Sequence, residues 1–550
     1  RISGRNSGSN NNNNSNSNGD SNNINSDDDI TRTWIIYNKP KGKPTYEHAG
    51  FLMSLGLQGH LGKLKLTDIY GYLSQGHDAT TVAILLGQAA AHRGSLDLTI
   101  SKMLCLHIPS LLPQTISEMD VPPPVQASAI LGVGLLYQSS CHRLMTEFLL
   151  EEIGRRPLSD RYADRESYAL AAGISLGLVT LGAGTNIEKR RGLSDLHIED
   201  RLHLYMVGGI DPKLRGLNPS KFGRGANLDS NGENKCSRIY EGNSINIGVT
   251  APGATLALGL MYIKSNNEAI AQRVAIPDTH FLLDYIRPDF LMLREICSNL
   301  IMWDNIEANE EWFHRQIPNV IHESMEIILN NTSANINNNS NNNRNDNNEN
   351  KKNHNFDVMG IKQAHAYVLA GACFSLGLKY AGTAHKGANE ILTKKVRYFK
   401  FLREKVNHKH RPDRCTLEMC LGCCTLALAM VMAGTGELNT LRLFRELRAA
   451  PVEEDIKYGN HMAIGMAIGL LFLSGGHATL GRSNESIAAL LCSLYPRFPI
   501  NSEDNQYHLQ PLRHLYVSKA LYIYIFTHTH TLIIIMFLHV TLTNHIVFFF

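Results

Sequence analysis

Several stretches of this chain are apolar all the way round a helical wheel, and each breaks at glycine before a half-polar stretch begins. The run Tyr168-Ala-Leu-Ala-Ala-Gly-Ile-Ser-Leu-Gly-Leu-Val-Thr-Leu181 carries no charge and ends at Gly182-Ala183-Gly184; Asp164 is its expected N-cap. Residues 417–432 end in the same way at Ala433-Gly434-Thr435-Gly436, and residues 461–473 at Ser474-Gly475-Gly476. A helix that is apolar on all sides has to be covered on most of them, and glycine takes the left-handed turn that stops it. After each stop the spacing becomes amphipathic, over residues 438–447, 484–494 and 143–153. The predicted unit is a buried helix, a glycine turn and a half-exposed helix, stacked as an inner and an outer layer.

A short phrase marks each buried helix: a small or apolar residue, then Leu-Gly or its equivalent. It places the repeat positions at Gly56, Gly87, Gly134, Gly177, Gly259, Gly377 and Gly469, with Ala429 standing in for glycine once. Glycine inside a helix costs about 1 kcal/mol relative to alanine. Its return in register therefore calls for a packing reason, and close approach of neighbouring backbones supplies one. From Gly134 to Gly177 is 43 residues and from Ala429 to Gly469 is 40, the range of helix-pair repeats. The pattern predicts an all-α fold, an α-solenoid. An array of this kind presents surface and does not enclose one reaction centre, so a scaffold is expected. The wider interval from Gly177 to Gly259 leaves room for an insertion at about 185–248.

Composition adds limits. A net charge of +3 over 550 residues leaves no electrostatic footprint for nucleic acid. The ten cysteines sit mostly in apolar helical runs and are expected to be reduced thiols inside a cell. No signal peptide opens the chain, which does not begin with Met and is expected to be a fragment. Residues 1–44 read as low-complexity and linker sequence, with an Asn/Ser/Asp-rich stretch at 6–29; an Asn tract occupies 331–355. Neither tract can bury enough apolar surface to order itself, so both are expected to be disordered. Residues 45–517 are left as the repeat domain. The apolar run at 531–550 has the length of a membrane span. However, Tyr522-Ile523-Tyr524-Ile525 and Thr527-His528-Thr529-His530-Thr531 are what TA and AC dinucleotide repeats encode, and Val517-Ser518 fits a splice-donor hexamer. Residues 518–550 are accordingly expected to be translated intron, and no membrane association is expected.

Little in the sequence suggests catalysis. Gly173-Ile-Ser175-Leu-Gly177 matches the nucleophile-elbow pattern, but that motif needs a strand-to-helix turn and here it falls mid-helix. Cys420, Cys423 and Cys424 share one helical face with half the spacing of a zinc site; Cys415 and His461 make no recognisable second half, and small buried packing residues are the reading adopted. Gly132-Val-Gly134 lacks the third glycine of a dinucleotide loop and the strand before it. His48, His107, His142 and His365 are scattered and read as core or turn residues. The insertion carries Lys189, Arg190, Arg191, Lys213, Arg215, Lys221 and Arg224, a solvated loop or a docking surface for an acidic neighbour. No catalytic residue, cofactor, metal or small-molecule substrate is expected.

The repeat phrase resembles proteasome/cyclosome repeats. The non-repeat segments are more specific: residues 121–138, Asp164-Arg-Glu-Ser-Tyr-Ala-Leu-Ala-Ala-Gly173, Pro252-Gly-Ala-Thr-Leu-Ala-Leu258, Pro277-Asp-Thr-His-Phe-Leu-Leu-Asp284, Pro288-Asp-Phe-Leu-Met-Leu-Arg294 and 486–516. They are similar to the subunit 1 family of the anaphase-promoting complex over about residues 45–517. The resemblance implies a closed or nearly closed toroid of helix pairs and a platform role in a multisubunit ubiquitin ligase acting in mitosis. The implied partners are a cullin/RING module, a substrate-receptor subunit and tetratricopeptide-repeat subunits, which carry the chemistry, and the implied location is nucleus and cytoplasm. Two other readings are a proteasome regulatory-particle scaffold with the same repeats and a membrane-anchored enzyme using Ser175.

Overall fold

The computed structural model describes residues 30–113, 121–155, 165–184, 186, 192–209, 245–339, 356–407, 410–450 and 454–499. Among them no strand occurs; every regular element is helical.

The inner layer consists of α2 (Tyr46–Leu57), α4 (Asp78–Ala91), α6 (Pro123–Leu136), α8 (Glu166–Val179), α10 (Ile247–Met261), α13 (Pro288–Ile301), α16 (Val358–Lys379), α18 (Arg414–Val431) and α20 (Glu454–Leu471). Each packs beside the next in this order. Their starts follow capping chemistry: the Asp357 carboxylate accepts from the Met359 N–H, and that of Asp413 from the Thr416 N–H. From Ser167 to Val179, and again from Ala364 to Leu378 apart from His365, the side chains are buried, as a helix with no polar face requires.

The outer layer includes α5 (Leu98–Cys105), α7 (Arg143–Ile153), α9 (Ile198–Val207), α11 (Glu268–Val274), α17 (Lys386–Lys405) and α19 (Leu438–Ala449). Each follows one inner helix and packs chiefly on the next: α5 on α6, α7 on α8, α9 on α10, α11 on α13, α17 on α18 and α19 on α20. These helices are one-sided. In α19, Thr440, Leu443, Phe444 and Leu447 are buried, three or four residues apart, while the arginines between them face out. The remaining α-helices among the described residues are α1 (Arg32–Tyr37), α3 (Leu66–Leu73), α12 (His280–Asp284), α14 (Glu310–Gln316), α15 (Asn319–Asn339) and α21 (Asn484–Ser493).

Four elements depart from the expectations above. Residues 484–494 were expected on the outside, yet α21 is buried from Ser486 to Ser493. Its sequence past Glu485, Ser-Ile-Ala-Ala-Leu-Leu-Cys-Ser, has no charge to hold a face in water. Residues 1–44 are not all linker: α1 lies within them, with Ile35 fully buried and Arg32 paired with Asp68 of α3 at 2.6 Å. The Asn tract is not wholly without structure either, because α15 continues through it to Asn339; once a helix is nucleated, each added residue gains a hydrogen bond. The insertion at 185–248 contains α9, packed on α10. Asp164, the basic residues of the insertion named above, residues 6–29 and the tail at 518–550 lie outside the described residues.

Among the described residues α18 is the helix long and apolar enough to cross a membrane, and 83 % of it is buried inside the fold.

Candidate functional site: the seam between inner helices

The repeat glycines lie where inner helices touch. A Cβ on Gly56 would fall into the backbone of Gly87. One on Gly134 would lie 2.7 Å from Ser175 Cα, one on Gly377 2.8 Å from Ala427 Cα, and one on Gly259 2.7 Å from Cys297 Sγ. On Gly177 it would meet the Leu260 side chain at 2.7 Å. Ala429 is fully buried, and Gly469 is half-buried on α20. A crossing as tight as that of Gly56 with Gly87 is one the repeat phrase did not single out. Gly173 and Gly253 face each other across α8 and α10, and a Cβ on Gly173 would overlap the Gly253 carbonyl group. A second glycine four residues before Gly177 was the available signal.

A hydrogen-bonded ladder joins the ends of these helices. At six of the junctions, the turn after an inner helix donates two backbone N–H groups to the last carbonyls of the next. Gly94 and Leu96 donate to Leu135 and Leu136 at 3.0 and 3.3 Å, and Ser139 and Cys141 to Leu178 and Val179 at 2.9 and 3.0 Å. Gly182 and Gly184 donate to Leu260 and Met261, Lys264 and Asn266 to Leu300 and Ile301, Gly382 and Ala384 to Met430 and Val431, and Gly434 and Gly436 to Leu470 and Leu471. Carbonyls in the last turn of a helix have no partner of their own, so at these junctions each repeat caps its neighbour. To aim both N–H groups, the turn enters the left-handed region, with φ near 56° at Lys264 and 52° at Asn266. That conformation costs about 1–2 kcal/mol for a side-chain-bearing residue and needs the ladder to hold it.

The ladder also fixes the register. Donors lie five and seven residues after Gly134, Gly177, Gly259, Gly377 and Ala429. By that rule the position equivalent to Gly177 in α4 is Ala89, two residues beyond Gly87. In α13 it is Asn299, because Lys264 and Asn266 bond the next two carbonyls. Helix α13 is thus a full member of the array although its sequence lacks the phrase. The Asn299 amide donates to the Glu295 carbonyl oxygen at 3.0 Å and to Glu295 Oε1 at 2.6 Å. Burial pushes the Glu295 carboxyl up to about 8, so it holds its proton at neutral pH. Opposite it, α16 supplies Gly371, where a Cβ would stand 2.9 Å from both Glu295 Cβ and the Met292 carbonyl oxygen. Past α13 the carbonyls of Trp303 and Asp304 accept from Lys379 Nζ at 2.9 and 3.2 Å.

The segment around α21 meets many of these turns. The Lys264 ammonium donates to the Arg482 carbonyl at 2.7 Å, and Thr479 Oγ1 to the Gly382 carbonyl at 3.0 Å. Gly182 faces the Asn484 amide. Glu485 lies close enough to Arg93 to favour its charged form against burial. At the other end of α21, Arg497 pairs with Asp289 at the start of α13, and Gly459 of α20 faces Phe498 and Pro499.

Among the chemically suggestive residues, Ser175, Cys420, Cys423 and Cys424 are buried within the inner layer. Ser175 is fully buried in mid-helix and donates to the Ile130 carbonyl at 2.9 Å. Cys420, Cys423 and Cys424 are buried, and burial pushes their thiols well above the ordinary range, away from thiolate. Cys423 Sγ lies 3.5 Å from the Ala370 carbonyl oxygen. Cys415 is half-buried. His48 is buried against Phe51 and Tyr72, His142 caps α7, and His107 contacts the Met103 carbonyl oxygen. His365 lines a cavity of about 260 Å³ between α15, α16 and α17, and burial lowers it to about 4.

The profile described as APC1 fifth domain matches residues 98–519, and that described as APC1 fourth domain matches residues 18–93. The anaphase-promoting complex subunit 1 of Mus musculus is 44 % identical over 499 residues, which cover 89 % of this chain and 24 % of the relative. The Dictyostelium discoideum protein of the same name is 41 % identical over 544 residues, with the same two shares. A protein of Emericella nidulans named negative regulator of mitosis is 35 % identical over 504 residues, 89 % of this chain and 21 % of its own length. The chain therefore spans about a quarter of the length of such relatives. With one family profile covering most of its residues and glycine-built helix pairs throughout, it belongs to the anaphase-promoting complex subunit 1 family.

Proposed function

We propose that this chain acts as a non-catalytic platform within an anaphase-promoting complex, a multisubunit ubiquitin ligase controlling mitotic progression. The observation that carries the reading is the ladder: it joins successive repeats through backbone atoms and leaves outer helices free to hold neighbours in fixed geometry. The burial of Ser175 and of the three cysteines favours packing roles over chemistry. The partners proposed are a cullin/RING module, a substrate-receptor subunit and tetratricopeptide-repeat subunits, with no nucleic acid, membrane or small-molecule ligand. Nucleus and cytoplasm are the proposed locations. The repeat array is proposed to close, or nearly close, into a toroid. Contacts from residues 479–499 to the ends of α8, α10, α13, α16 and α20 support that shape, because a straight array could not bring so many helices to one short segment.

The test is reconstitution of the complex with the full-length subunit. Gly173→Leu should strip co-purifying subunits, and Ser175→Ala should leave both subunit content and ubiquitin transfer unchanged. Loss of ubiquitin transfer from an intact complex carrying Ser175→Ala would refute a purely structural role.

A further inference from the structure

The outer helices differ in charge. Across α5, α7, α9 and α11 the cations are Lys102, Arg143, Arg201 and Arg273, against six carboxylates. Across α17 and α19 there are ten Lys or Arg against Glu390, Glu404 and Glu446. Lys400 Nζ of α17 and Glu446 Oε2 of α19 bridge the two helices at 2.9 Å. Two of the three carboxylates are already engaged, Glu446 with Lys400 and Glu404 with Arg403.

What remains forms a ridge. On α17, Lys394 and Lys395 pair with Glu310 of α14 at 3.9 and 2.9 Å, while Arg397, Phe401 and Lys405 are exposed at four-residue spacing, which puts them on one face. On α19, Arg442, Arg445 and Arg448 are exposed at three-residue spacing. Phe401 is 56 % exposed and Tyr398 38 %, so the ridge has apolar surface between its cations. Like charges at these spacings oppose helix formation, and among the described residues Arg397, Lys405, Arg442, Arg445 and Arg448 stay exposed.

We infer that the α17–α19 ridge is a docking surface for an acidic segment of another protein subunit, one that lays an aliphatic or aromatic side chain over Phe401. Charge complementarity sets the sign of the partner. Four of the ridge cations are arginines, whose planar forks bind carboxylates in pairs of hydrogen bonds. The exposed phenylalanine sets the need for an apolar anchor, since central apolar contacts within a charged rim carry most interface energy. This inference rests on the platform reading.

The experiment uses the full-length subunit in the purified complex with Phe401→p-benzoylphenylalanine. Light should cross-link position 401 to one Asp/Glu-rich segment of another subunit. The yield should fall as salt is raised, because screening shortens the reach of exposed charges. The double reversal Arg397→Glu with Arg445→Glu should lower it about tenfold or more. A cross-link to nucleic acid, or to a neutral or basic segment, overturns the inference. No cross-link while the other subunits still co-purify overturns the docking surface alone. A chain that purifies without any other subunit overturns the platform reading and the docking surface with it.

Discussion

Two junctions in the same seam are built from opposite materials. Between α8 and α10, Gly173 meets Gly253 with no side chain between them, and Gly182 and Gly184 complete the ladder. Between α13 and α16, the buried Glu295 and Asn299 fill the space, Gly371 makes room for them, and a lysine side chain reaches the carbonyls at the end. The comparison shows that the array demands a helix spacing and terminal donors; glycine is one way to meet that demand and a satisfied polar group is another.

The two materials should fail differently. Glycine against backbone has no flexible neighbour to yield, so Gly173→Leu should give the largest effect, about 3 kcal/mol or more of destabilisation with separation of α8 from α10. Gly132→Ala is the control within the same layer: its new methyl would meet the far end of the Leu104 side chain, which can turn, and the expected loss is near 1 kcal/mol. Thermal unfolding of both variants measures the gap. Equal losses would mean that backbone contact is not what the glycine serves.

The polar junction should respond to pH. The Glu295 carboxyl ionises near 4.5 when exposed and near 8 in the fold. The unfolded chain therefore releases this proton first, and stability falls as pH rises from about 4.5 to about 8, then levels off. Glu295→Gln keeps an acceptor for Asn299 and has no proton to lose. Its stability relative to the parent should be similar near pH 5 and rise steadily to pH 8. A constant difference across that range would show that Glu295 is ionised in the fold. Lys379→Met tests the other half of this junction. Two carbonyl contacts at a half-exposed site are lost, for about 1 kcal/mol, without the pH dependence.

These two junctions also show where the sequence could be read. At the first, an apolar run with internal glycines and a glycine stop has one physical solution, so the helix, its burial and its turn were all visible in residues 168–184. At the second, Pro288–Ile301 includes Asp289, Arg294, Glu295 and Asn299, charged or polar residues that sequence patterning puts in water, yet all are buried. Its membership becomes visible only through the backbone bonds from Lys264 and Asn266. Helix α21 was misplaced for a related reason. Its apolar spacing looks like that of an outer helix, but the lack of charge after Glu485 and contacts with residues far away in the chain, such as Lys264 with Arg482, mark an interior one.

The smallest effect sharpens the glycine-built side of the comparison. Ser175 lies opposite Gly134, and its hydroxyl spans the helix crossing to the Ile130 carbonyl. Alanine keeps the close approach and removes only that bond. The freed carbonyl still has its place in the α6 helix, so Ser175→Ala should lose about 1 kcal/mol, with wild-type helix content. A loss as large as that of Gly173→Leu would mean that the hydroxyl bond, and not side-chain size, holds α6 to α8. The small residue in front of each repeat position would then need its own explanation at every crossing, including Ala257 and Ala427, which have no such group to offer.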